Sequence, residues 1–195
     1  MTEALDLKQL ELRAWKSMHQ DGLWELTFAL FLFAWFARDV TGIPLVGIGL
    51  IFAGVLIFVL GKWFITVPRM GMVRFGPARR RKRWQLIWLL AAGILATYAL
   101  LVLTVGRDTP WLRENQVGVG IGVALFLVVV FSAIAHQLDC PRFYFFGAVF
   151  AVAELASLGL DTPLVPLTGS VVLLIPGVVA LVGFQRRYPP TGGKP

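Results

Sequence analysis

Long apolar runs broken by short polar clusters organise the chain, at residues 22–37, 43–61, 84–106, 117–135, 143–160 and 163–184, each bounded by charges, prolines or glycines. Most approach the roughly 20 residues that a helix needs to cross the hydrocarbon core of a bilayer. The pattern predicts an all-α fold: a polytopic transmembrane helical bundle of about six spans, threaded as three hairpins. The runs 22–37 and 143–160 are short and each holds a glutamate, so a tilted or re-entrant segment is the alternative for both, and five spans is the alternative total.

Ahead of the first run, "LDLKQLELRAWKSMHQDGLWEL" sets Leu7, Leu10, Ala14 and Met18 at helical spacing, with Glu3, Lys8, Arg13 and Lys16 mostly on other faces. This predicts an amphipathic helix over residues 1–21 that lies in the membrane interface and bends into the bilayer near Gly22. Its mixture of acids and bases lacks the basic head and early apolar core of a cleavable secretion signal, so the segment is expected to be retained. The domain plan is therefore an interfacial helix at 1–21, a bundle over 22–184 with a basic loop at 62–83, and a tail at 185–195.

Composition agrees with lipid as the main solvent. Hydrophobic residues make up 57% of the chain and charged ones 15%, and the mean hydropathy is +0.76, against about half and a quarter in ordinary soluble domains. A single cysteine, Cys140, excludes an intramolecular disulfide and a paired-thiol metal site, and neither a metal nor a cofactor is expected.

Charge supplies the orientation. The stretch "VPRMGMVRFGPARRRKRW" carries Arg69, Arg74, Arg79, Arg80, Arg81, Lys82 and Arg83 and no acid, which places it on the cytoplasmic side. Six spans put Lys8, Arg13, Lys16, Arg142, Arg186, Arg187 and Lys194 on that same side. The opposite turns hold only Arg38, Arg107 and Arg113, each near an acid at Asp39, Asp108 or Glu114. The expected setting is the inner (plasma) membrane, multi-pass, with both termini cytoplasmic. The basic segment is suited to anionic lipid head groups or a protein partner, or simply holds the topology; no nucleic-acid module accompanies it, so nucleic acid is not an expected partner. The outer turns "RDVTGIPLVG", "RDTPWLRENQVG" and "LDTPLVPLTG" resemble one another, which reads either as an internal repeat or as Asp and Thr capping the next helix three times over.

Few residues offer chemistry. In "GAVFAVAELASLGL" Glu154 stands alone in an apolar span, with Gly147, Ala151 and Ser157 on its own helical face. A charge at the bilayer centre costs about 3 kcal/mol on insertion scales, so Glu154 reads either as a proton or cation site, with Ser157 beside it, or as a protonated packing residue. "HQDGLWEL" places Asp21 and Glu25 four apart on one face, able to repel, to share a proton or to bind basic residues. His19, His136, Asp139 and Cys140 have no metal-site spacing. Gly118 and Gly122 have the close-packing spacing of membrane helices, and Ser170 reads as a packing or backbone-bonding serine.

At "DGLWEL" (21–26) and "ITVPRMGMVRFGPARRRKR" (65–83) the chain resembles a family of prokaryotic multi-spanning membrane proteins without an assigned activity. The likeness covers roughly the first 85 residues. It implies a bacterial or archaeal inner membrane and no substrate.

Two functions therefore stand open. One is a small ion or solute channel or transporter, assembled as a homo-oligomer, with Glu154 as its ion site and Asp21 and Glu25 at the inner mouth. The other is a non-catalytic scaffold or regulatory subunit that binds anionic lipid or a partner. No nucleophile or acid–base constellation suggests an enzyme.

Overall fold

The computed structural model describes residues 19–70, 114–160 and 162–189, together with positions 81, 84, 85 and 88. Among the described residues all regular structure is helical, in five helices: α1 (Leu23–Thr41), α2 (Pro44–Met70), α3 (Gln116–Leu138), α4 (Arg142–Leu160) and α5 (Leu164–Arg187). Four of them, α2 to α5, are long and apolar enough to cross a membrane. Only 17% to 28% of the residues along these spans are buried within the fold, so most of their apolar surface faces outward, as lipid requires. The chain is an integral membrane protein. The first run becomes α1, whose 19 residues include Glu25, Arg38 and Asp39. Residues 1–18 of the expected amphipathic helix (1–21) and most of the run 84–106 lie outside the described residues; residues 19–21 are not helical, and of the run Trp84, Gln85 and Trp88 are helical.

One compact unit contains α1, α2 and α5, and a second contains α3 and α4. In the first, α1 packs against both α2 and α5. Its chain reversal is tight: Gly42, at φ 67°, ends α1 with its N–H on the Arg38 carbonyl at 2.9 Å, and Pro44 opens α2. Glycine tolerates that left-handed turn and proline is pre-set for a first helical residue, which is why two residues suffice. Of the expected capping acids, Asp108 and Asp161 lie outside the described residues. Ahead of α2 the Thr41 hydroxyl accepts the Ile43 N–H at 3.3 Å, and the side chains of the N-cap residues Ile43, Asn115 and Pro163 themselves make no capping bond. Asp39 instead takes Arg38 at 2.8 Å on the surface.

Beyond Gly61 the second helix does not stop. It widens into a π-helical turn at Lys62–Thr66 and runs on through Val67–Met70, so the first part of the expected loop 62–83 is helix. The extra residue of such a turn shifts the register of everything after it and is often found at functional sites. Trp63 points outward at 67% exposure, as an interfacial anchor would.

In the second unit α3 and α4 pack along their lengths around Phe131, Phe143 and Phe146, all nearly fully buried, with Phe131 stacked on Phe150 at 5.4 Å. The packing glycines are Gly120, whose missing side chain makes room for Leu158, and Gly147, where a Cβ would lie 2.8 Å from that of Phe131. Among the described residues Gly118 and Gly122 meet nothing within 4 Å. The glycine that faces α4 is Gly120, two positions from each of them.

Within the first unit, Ser170 of α5 donates to the Ala29 carbonyl of α1 at 2.8 Å, both groups being buried. Ser170→Ala should lower stability by about 0.6 kcal/mol, the average for such a bond between membrane helices. Unfolding in mixed detergent micelles measures it; a loss several times larger would mean that the serine does more than tie two helices together.

Candidate functional site

The site forms where α1 begins. Gly22 precedes the helix at φ 78°, a conformation that side chains resist, and its turn folds Asp21 back so that Oδ1 accepts the Leu23 N–H at 3.2 Å. Across the interface, α2 contributes two more donors. Lys62 Nζ and Thr66 Oγ1, the two ends of the π-helical turn, each donate to Asp21 Oδ2 at 2.6 Å. Asp21 is 0% exposed and Thr66 1%, while the Lys62 side chain is about one-fifth exposed.

Glycines let the three helices close on this point. A Cβ on Gly61, just before Lys62, would lie 2.7 Å from the Leu23 side chain; one on Gly22 would strike the Gly177 carbonyl of α5; one on Gly177 would come within 2.9 Å of the Glu25 Cβ. Glu25 lies one turn further along α1, 4% exposed, and its carboxylate acts electrostatically on Lys62 together with that of Asp21. The Lys62 ammonium also sits 5.5 Å from the Phe58 ring centroid, and Phe58 in turn packs against Trp24 at 4.3 Å. The cluster is enclosed by helix packing at the start of α1, with the exposed Gln20 and Trp63 next to it in sequence. Gly177 precedes the exposed Arg186 by nine residues, or about 13 Å of helix.

Two carboxylates, one ammonium and one hydroxyl thus converge inside apolar helix packing. Such a pair contributes little net stability, because removing both charges from water costs about as much as their attraction returns. What it can do chemically is hold and exchange a small positive charge.

Of the residues that the sequence singled out, Asp21 and Glu25 are brought together here. Glu154 and Ser157 lie on α4 in the other unit. There Glu154 is half-buried, Gly147 and Ala151 on its face are buried, and the Ser157 Oγ is buried as well. Arg69, in the last turn of α2, donates to the Ile65 carbonyl at 3.2 Å. Arg81 is helical and exposed, and Arg74, Arg79, Arg80, Lys82 and Arg83 lie outside the described residues. Among the described residues no three or more of His, Cys, Asp and Glu gather closely enough to hold a metal ion.

Sequence reasoning passed over Lys62, Thr66 and Gly177. A signal for Lys62 was present: a lone cation with an apolar run before it and "WFITVP" after it is as costly in lipid as Glu154. No family description, curated protein or solved structure matches this chain.

Proposed function

We propose that the protein carries protons or small monovalent cations across the membrane, with Asp21, Lys62, Thr66 and Glu25 as its ion-handling site. One observation carries this reading: Asp21, wholly buried, is ion-paired at 2.6 Å to a lysine 41 residues away on another apolar helix. Apolar side chains of similar volume would hold three helices together at least as well. Ionisable groups kept inside membrane helices generally mark ion or proton paths.

In the proposed setting the chain makes six spans in a plasma or inner membrane, with both termini cytoplasmic. Arg69 to Arg83 lie against anionic lipid, and copies assemble to enclose the path. No catalytic step on a substrate is assigned.

Flux measured in proteoliposomes under imposed proton and alkali-cation gradients tests the proposal. Asp21→Asn should lower flux by about tenfold or more, which corresponds to only about 1.4 kcal/mol of added barrier. The double variant Asp21→Asn with Lys62→Met removes both charges and should stay inactive although it packs well. Glu154→Gln should keep most of the flux, since Glu154 is half-buried where Asp21 is completely enclosed. Full flux from the well-folded double variant would overturn the site, and loss of flux in Glu154→Gln alone would move it to α4.

A further inference from the structure

The stripe by which α2 meets α1 is marked by three glycines seven residues apart, Gly47, Gly54 and Gly61, all buried and each facing α1. Seven residues are about two turns of an α-helix, so the stripe predicts where α2 should touch α1 next. Four and seven residues past Gly61 stand Ile65 and Pro68. The structure does otherwise. Ile65 is half-buried and Pro68 is exposed, while Thr66 is 1% exposed and donates to Asp21 at 2.6 Å. Five residues of regular α-helix would turn Thr66 about 140° away from Gly61. The π-helical turn at Lys62–Thr66, closed by the Val67 N–H on the Lys62 carbonyl, holds one residue more and carries Thr66 back onto the stripe.

Single π-helical turns are rare inside α-helices, and two features favour this one. Pro68 has no N–H to give the Phe64 carbonyl, so a regular α-helix across these residues would lack a bond that other sequences make. Proline alone does not select the π register, because membrane helices absorb it by kinks as well as by local π or 3₁₀ adjustment. The selecting contact is the bond from Thr66 to Asp21. A regular α-helix would break it and turn the Ile65 side chain toward the buried carboxylate in its place. Lys62 opens the turn and so keeps its position in either register.

We infer that Lys62–Thr66 is a register switch: with Thr66 bonded to Asp21 the turn is π-helical, and with that bond released α2 rewinds to a regular α-helix. Rewinding by one residue turns everything beyond it by about 100° and moves it about 1.5 Å along the axis. The face that α2 presents from Val67 to Met70, ahead of the basic residues that follow in sequence, thus depends on one buried carboxylate. The inference goes beyond the transport reading and holds whether or not an ion crosses the membrane.

Distances between pairs of spin labels test the switch, in the full chain in lipid vesicles with Cys140→Ser, so that only introduced cysteines carry label. Val67→Cys and Met70→Cys, each combined with Val179→Cys on the exposed side of α5, report the segment beyond the turn. Val59→Cys with Val179→Cys lies before the turn and is the reference. Thr66→Val removes the hydroxyl at nearly constant volume. It should move at least one reporter pair by several ångström and leave the reference unchanged. A turn of about 100° cannot keep both positions 67 and 70, themselves about 60° apart, at their old distances. Thr66→Ser retains the donor and should keep all three wild-type distances.

Both reporter pairs at wild-type distances in Thr66→Val would overturn the inference. A reference pair that moves with them would overturn it equally, since α2 would then be unpacking as a whole. If Thr66→Val does not fold, Thr66→Ala removes the same hydroxyl, leaves room for water beside the carboxylate, and is read by the same outcomes. Flux in Asp21→Asn decides the transport reading separately. Unmoved labels in Thr66→Val leave that reading standing, and a shifted reporter pair in a protein that conducts nothing upholds the switch.

Discussion

Asp21→Asn is expected to destabilise the α1–α2–α5 unit by about 3 kcal/mol or more, and adding Lys62→Met should restore most of that loss. The asymmetry is physical. Removing one member of a buried pair leaves the other charged and uncompensated, which typically costs about 3–5 kcal/mol, whereas removing both leaves neutral groups that pack. In the single variant the Lys62 ammonium, about one-fifth exposed, loses the carboxylate at 2.6 Å and is left with weaker attractions, among them Glu25 and the Phe58 ring. In the double variant the side-chain amide introduced at position 21 still offers an oxygen to the Leu23 N–H, and its NH2 group can donate to the Thr66 hydroxyl, which turns from donor to acceptor. Unfolding by denaturing detergent, run as a double-mutant cycle, gives the coupling energy between the two positions. A coupling near zero would show that the pair is too solvated to act as a buried one. Paired with flux, the same cycle separates structure from function: stability should return in the double variant and flux should not.

A comparably large effect is expected at Gly22. A side chain there meets two obstacles, the left-handed backbone at φ 78° and the α5 backbone, where a Cβ would strike the Gly177 carbonyl and lie 2.7 Å from the Leu181 nitrogen. The first costs about 1–2 kcal/mol and overpacking about 1–3 kcal/mol more, so Gly22→Ala should lose about 2 kcal/mol or more. Because Gly22 shapes the turn that aims Asp21, flux should fall with stability. Gly118→Ala and Gly122→Ala provide the contrast. Among the described residues nothing lies within 4 Å of either position, and a helix gains from alanine over glycine, so both should be neutral or stabilising by a few tenths of a kcal/mol. Equal losses at Gly22 and Gly122 would mean that the close approach of α1 and α5 does not govern the fold.

Much of the architecture was legible in the chain because it depends on the solvent. Backbone groups in lipid must bond within their own segment, so an apolar run of sufficient length predicts a helix whatever its neighbours are. The runs at 117–135, 143–160 and 163–184 accordingly appear as α3, α4 and α5, with ends shifted by a few residues. The glycine and proline at 42 and 44 likewise marked a tight turn for local steric reasons. Asp21 and Glu25 could be placed on one face by their spacing, which needs only helical geometry.

The partners of those residues belong to tertiary structure. Nothing local in the chain relates Asp21 to Lys62 and Thr66, 41 and 45 residues away, or to Gly177 on the last helix. Bringing them together depends on which faces of α2 and α5 meet α1, on a π-helical turn that periodicity does not reveal, and on glycines whose value lies in what fills the space beside them. For the same reason, Glu154 was the more conspicuous charge in sequence while Asp21 is the more deeply enclosed in the fold. Hydropathy reads the exchange of each residue with lipid one position at a time. The burial and pairing of a charge is a property of neighbours, and only packed helices supply them.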